Sequence, residues 1–114
     1  MYIAMNRFKV RPEEQDAFRK RWLDRDVLLK TVPGFVAFQL LQGPAQDDHV
    51  LYASHTVWRS YDDFEAWTHS EQFRAAHARA GEGRALTIEG PRFEGFEVLQ
   101  EVAADDADAL NAVL

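Results

Sequence analysis

Along this chain the spacing of apolar residues changes period in a definite order, and that order restricts the fold more than any single motif does. Residues Tyr2–Val10 alternate, with Tyr2, Ala4, Asn6, Phe8 and Val10 on one side and Ile3, Met5, Arg7 and Lys9 on the other, the two-residue period of a strand. Pro12 then suits the first turn of a helix, and Glu13, Glu14 and Asp16 complement its positive N-terminal end. Phe18, Trp22 and Leu29, with Ala17, Val27 and Leu28 near them, predict a helix of roughly twelve to seventeen residues. Its outer face carries Arg19, Lys20, Arg21, Asp24 and Arg25. Pro33-Gly34 signals a turn before a strand over 35–42, and the polar run Gly43-Pro44-Ala45-Gln46-Asp47-Asp48 reads as a hairpin connection to an antiparallel strand over 49–58. Ser60-Tyr61-Asp62-Asp63 and Thr68-His69-Ser70-Glu71 each place a hydroxyl three residues before an acid, which predicts two helices with a break near Trp67. The second helix runs through Phe73, Ala76, His77 and Ala80 until Gly81 and Gly83 stop it, and residues 92–102 form a last strand.

Strand, helix, strand, strand, helices, strand is the split βαβ order of a ferredoxin-like sandwich in the α+β class. Helices over one face of a single sheet leave the other face bare, and 114 residues provide no further element to cover it. A homodimer joined sheet to sheet, a dimeric α/β barrel, is the expected answer. Residues 1–102 are expected to form one domain, followed by an acidic tail over 103–114 that contains Asp105, Asp106 and Asp108 and is assigned no function.

Composition removes several classes of activity. A formal charge of −6 with no basic run argues against nucleic acid as a partner, since phosphate neutralisation needs a basic face. The chain has no Cys, which excludes thiolate catalysis, disulfides, iron–sulfur clusters and cysteine-ligated haem, so any metal rests on His, carboxylate or Tyr. The opening MYIAMNRFKV lacks a basic segment followed by a long apolar one, and no stretch approaches the roughly eighteen apolar residues of a membrane span. The expectation is a cytoplasmic protein with no membrane partner.

Three residues stand out as carriers of chemistry. Asn6 is in phase with Tyr2, Ala4, Phe8 and Val10, so alternation puts an amide on an apolar face, where it needs a hydrogen-bonding partner in the protein or a ligand. His77 sits among Ala75, Ala76, Ala78 and Ala80, and small neighbours leave room for a broad flat body beside an imidazole, although a single helical His is more often a surface or capping group. Trp67, at the end of its helix with Phe64 one turn earlier, reads as a core anchor or as a pocket wall. Trp22, Trp58, Phe18 and Tyr52 share that ambiguity. His49, His55 and His69 show no metal-ligand spacing.

The stretch from Trp67 to His77, preceded by Val57-Trp58-Arg59-Ser60 and Phe64, resembles the central motif of the IsdG-type, haem-degrading branch of the antibiotic-biosynthesis-monooxygenase superfamily. Asn6, Pro33-Gly34-Phe35 and the closing 93–98 segment resemble it too, so the similarity spans about residues 1–102. The resemblance implies a trio: His77 as axial ligand of haem iron, Asn6 hydrogen-bonding toward oxygen held there, and Trp67 pressing on the porphyrin. It further implies haem as both cofactor and substrate, consumption of oxygen and electrons from an external donor such as a reductase, and opening of the macrocycle with release of iron. Arg25 corresponds to an arginine held near the haem in some relatives. A bend near Trp67 matters to this reading, because an unbroken helix would separate Trp67 and His77 by about 15 Å along its axis. Relatives in the same superfamily oxidise phenolic or quinol substrates without a cofactor, in which case His77 would act as general base. A dimer that binds a hydrophobic ligand without converting it is the third reading.

Overall fold

The computed structural model describes residues 1–23, 28–71, 73–74 and 85–105. Among them, a four-stranded antiparallel sheet is built from β1 (Tyr2–Val10), β2 (Phe35–Ala45), β3 (Val50–Trp58) and β4 (Arg92–Glu97), in the order β2-β3-β1-β4. Helices α1 (Gln15–Leu23) and α2 (Tyr61–Thr68) both cover one face. This is the ferredoxin-like α+β arrangement expected from the order of periods. No helix of the described residues is long and apolar enough to cross a membrane.

Register decides which side chains meet the helices. Tyr2 lies opposite Trp58, Ala4 opposite Thr56, Asn6 opposite Ser54, Phe8 opposite Tyr52 and Val10 opposite Val50. Side chains directly opposed in an antiparallel pair share a face, so the alternation read in the first strand is also the alternation of the whole floor. Phe8 packs against Phe18 and Trp22 of α1, and Tyr2 packs against Tyr61 and Phe64 of α2.

Two hydrogen-bond chains tie this floor together. The fully buried Trp58 donates Nε1–H to Thr56 Oγ1 at 3.0 Å, and that hydroxyl donates to the carbonyl of Ala4 at 3.1 Å. At the other end the Tyr52 hydroxyl donates to Gln15 Oε1 at 3.0 Å and accepts from Arg19 Nε at 2.9 Å, which pins α1 to β3. Arg19, expected on the outer face of the helix, is therefore engaged with the sheet.

Several element boundaries differ from expectation for local reasons. The first helix opens with a 3-10 turn over Pro12–Glu14 and becomes α-helical at Gln15, and Leu28–Thr31 is a second 3-10 turn. Strand β2 continues through Gly43-Pro44 to Ala45, past the expected hairpin connection, by shifting register between Gln42 and Ala45. A proline is tolerated there because β2 is an edge strand, where one missing N–H breaks no ladder bond on the outer side. The connection itself is shorter and closes with Gln46 N–H donating to the His49 carbonyl at 2.7 Å. Strand β4 ends at Glu97, although Val98 N–H still donates to the Met1 carbonyl.

Two glycines mark close approaches. Gly34 has φ +81°, and a Cβ there would collide with the Asp63 carboxyl group, so the turn before β2 fits against the start of α2 only without a side chain. Gly95 on β4 lies in register with Ala4, and the Tyr2 phenol occupies the space a side chain would take.

Candidate active site

The core is divided. One cluster gathers Val10, Phe18, Val50, Tyr52 and Leu86, with Phe8, Trp22 and Leu40 packed on it. The other gathers Tyr2, Ala4, Val32 and Trp58, with Phe35, Phe64 and Trp67 around it. On β1 the boundary between the clusters falls at Asn6, between Ala4 and Phe8; on β3 it falls at Ser54, between Tyr52 and Thr56. The row across the sheet at this level reads Leu40, Ser54, Asn6, Phe93.

This row is polar at its centre and apolar at its ends. Asn6 is half-buried and Ser54 is 7% exposed, yet neither side chain makes a hydrogen bond to a described residue. Elsewhere on the floor, Tyr52, Thr56 and Trp58 are all satisfied. At the end of the sheet the Tyr2 hydroxyl makes no hydrogen bond to a described residue, and burial, then Tyr61 and Glu97, raise its pKa above the ordinary phenol value. Two adjacent polar side chains with no hydrogen bond to a described residue, in the middle of an apolar floor, leave donors and acceptors available above the sheet.

Aromatic rings flank the row. On the α2 side, Phe93 stacks on Phe64 with centroids 5.8 Å apart and planes 10° apart, and Phe64 meets Trp67 at 6.2 Å. Trp67 also leans on Trp58 at 5.2 Å and receives the edge of Phe73 at 4.8 Å. On the α1 side, Trp22 stacks on Phe38 with centroids 5.7 Å apart and planes 15° apart.

The helix break near Trp67 has a clear local cause. Ser60 caps α2 by accepting from Asp63 N–H at 3.1 Å, as its sequence signature indicated. The second cap is Ser70 rather than Thr68: Ser70 Oγ accepts from Phe73 N–H at 3.1 Å and donates to the Trp67 carbonyl at 2.6 Å. Thr68 instead closes α2 by donating to the Glu65 carbonyl. Both ends of the break thus converge on the Trp67 backbone, and its indole turns into the aromatic group.

Of the residues singled out in the sequence, Asn6 and Trp67 lie on the same side of the sheet, linked through Phe93 and Phe64. His77 and Arg25 lie outside the described residues. Ser54 was missed, although the same alternation that exposed Asn6 puts it in phase with Tyr52 and Thr56; a small hydroxyl in a strand simply raised no flag. His49 pairs with Asp48 at 2.6 Å, and His55 points to the opposite face of the sheet.

Residues 1–79 match the profile of the antibiotic biosynthesis monooxygenase family. The chain belongs to this family. A heme-degrading monooxygenase of Bacillus thuringiensis is 34% identical over 53 residues, which cover 46% of this chain and 50% of the relative, so the match spans half the length of that curated protein. The structure of the heme-degrader MhuD from Mycobacterium tuberculosis, with two hemes bound in its active site, aligns over 90% of this chain and 100% of its own with a TM-score of 0.67 at 27% identity. The cofactor-independent oxygenase SnoaB from Streptomyces nogalater shares the fold, with a TM-score of 0.59 at 22% identity over 90% of this chain and 97% of its own.

Proposed function

We propose that this member of the antibiotic biosynthesis monooxygenase family binds haem in the gap between its two core clusters and opens the porphyrin ring oxidatively. The observation that carries the reading is the open Asn6 amide on a floor flanked by the Phe64–Trp67–Phe93 and Trp22–Phe38 ring groups. A flat, apolar macrocycle gains from burial against such rings, and an unpaired amide at the centre suits a ligand whose middle requires a hydrogen bond. The haem-degrading relatives point to the same substrate.

In this reading haem is both the oxygen-activating group and the substrate, and turnover consumes oxygen and electrons from an external donor such as a reductase, releasing iron and a linear tetrapyrrole. His77 would hold the haem iron through its neutral imidazole, and haem so held would supply the oxygen-activating chemistry. Asn6 donates its amide N–H into the water-poor space above the floor, a preorganised dipole that needs no reorientation during the reaction. Trp67, backed by the rigid Trp58, presses on the macrocycle. Arg25 pairs with a propionate. Residues 1–102 form the domain that carries this chemistry, with the acidic 103–114 segment outside it, in a cytoplasmic protein.

Haemin added to the pure protein is expected to give a Soret band that saturates, and His77→Ala is expected to abolish it. Ascorbate or a reductase then bleaches the wild-type band. Equal binding by wild type and His77→Ala would remove His77 as ligand, a stable band under reductant would make the protein a haem carrier, and quinol oxidation without haem would indicate the cofactor-independent chemistry.

The second face of the sheet belongs to the same proposal, as a homodimer interface. None of the described helices packs on it, yet Ile3, Met5, Leu51 and Val57 point there, with Leu41 38% and Phe96 47% exposed. Charged pairs, Arg7 with Glu94 and Lys9 with Glu89, rim one end. The buried Nδ1 of His55, near the middle of this face, has no partner among the described residues, a deficit that a second copy can supply. Sedimentation equilibrium is expected to give twice the 13.1 kDa chain mass, and Phe96→Glu to shift the protein toward monomer. A monomeric wild type would end the interface assignment.

A further inference from the structure

We propose that the Ser54 hydroxyl is a second polar contact for the bound ligand, acting beside Asn6 on the hydrogen-bonding group that faces the sheet. The proposal deepens the haem reading and rests on it.

Four observations converge on Ser54. It lies directly opposite Asn6 in the β1–β3 register and on the helix-covered face. It is more than nine-tenths buried, and its hydroxyl bonds to no described residue. Its nearest neighbours on the same face of β3, Tyr52 and Thr56, spend their hydroxyls on Gln15 and on the Ala4 carbonyl, so the polar side chains beside it on that face already have structural work. On β3 it sits where the core parts, with Tyr52 in one cluster and Trp58 in the other.

Geometry makes the two residues act on one point. The Cβ atoms of directly opposed residues in an antiparallel pair are about 4.5–5.5 Å apart, so a short Ser side chain and a longer Asn side chain reach the same small volume above the strands. Asn6 supplies two N–H donors and a carbonyl acceptor there, and Ser54 one O–H donor and an acceptor. A single small ligand atom or ordered water in that volume can take a donor from each. A hydroxyl rotor adapts its direction at little cost, whereas the amide is a fixed fork, which suits Ser54 to follow a group that changes its hydrogen-bonding demand during the reaction. The flanking Leu40 and Phe93 cannot substitute for it.

The test uses the full chain loaded with haemin, reduced under carbon monoxide, with the C–O stretching frequency as readout. Hydrogen-bond donors near the carbon monoxide oxygen lower that frequency. Ser54→Ala is expected to raise it, in the direction Asn6→Ala does and by less; Ser54→Thr, which keeps the hydroxyl, is expected to restore it. The Asn6→Ala/Ser54→Ala double variant should shift by less than the two single shifts combined, because both groups serve one atom. Without haem, Ser54→Ala should be about as stable as wild type, since the hydroxyl it removes makes no hydrogen bond to a described residue. An unchanged frequency in Ser54→Ala, with a wild type that binds haemin normally, would overturn the proposal alone. Loss of stability in unloaded Ser54→Ala would also overturn it, by making the hydroxyl structural. Failure of wild type to take up haemin would remove this proposal and the haem reading together.

Discussion

Asn6→Ala is expected to retain haem and lose most of the ring-opening rate, by about a hundredfold or more, the usual cost of deleting one preorganised donor aimed at developing charge. Two features of the floor separate this effect from a folding defect. The Asn6 side chain contributes no hydrogen bond to any described residue, so its removal leaves none of their groups unpaired. Its apolar neighbours on β1, Ala4 and Phe8, belong to different core clusters, so shortening the side chain between them removes little packing. The denaturant midpoint should therefore stay at the wild-type value or rise, the Soret band should form, and its bleaching under ascorbate should slow. Bleaching at the wild-type rate would show that the amide has no part in the chemistry. A large fall in midpoint would show that it is a structural group.

Trp58→Ala should be the most damaging single substitution in the core, lowering stability by about 3–5 kcal/mol. Trp58 has no exposed surface, contacts Phe35, Phe64 and Trp67 through its ring, and anchors the Thr56–Ala4 hydrogen-bond chain through Nε1. Truncation leaves a cavity at the junction of β2, β3 and α2 that the sheet cannot close. Domains of this kind are commonly stable by about 5–15 kcal/mol, so the variant should sit near its unfolding threshold at ambient temperature. Trp67 loses the ring that backs it, so haem binding should weaken even where the variant is kept folded by low temperature. Urea denaturation followed by near-ultraviolet circular dichroism measures the first effect and haemin titration the second. A loss below about 1 kcal/mol would mean that the aromatic group reorganises around the gap, contrary to the close packing assumed for such cores.

The two variants separate the roles of neighbouring positions on one floor. Asn6 and Trp58 share a face and differ by two rows of the register, yet one is open to a ligand and the other fully enclosed. That contrast follows from what each side chain can satisfy: the indole N–H finds Thr56, and the amide finds no partner among the described residues.

Much of this was legible in the chain itself. A two-residue period has only two outcomes, so the alternation of Tyr2–Val10 identified the buried face of β1 and the anomaly of Asn6 on it. The Ser60 cap and the change of direction after Trp67 followed from local hydroxyl-to-backbone chemistry, which acts within three residues. What depended on tertiary structure was whatever spans distant segments or competes with local preference. The Ser70 cap displaced the Thr68 one because its hydroxyl reaches both Phe73 N–H and the Trp67 carbonyl. Pro44 entered a strand because β2 is an edge, a fact of strand order that no local pattern carries. Ser54 became a site residue only when the register set it against Asn6, between two clusters contributed by separate parts of the chain. A side chain's type and phase are local properties; whether its polar atom has a partner depends on the neighbours that the fold brings to it.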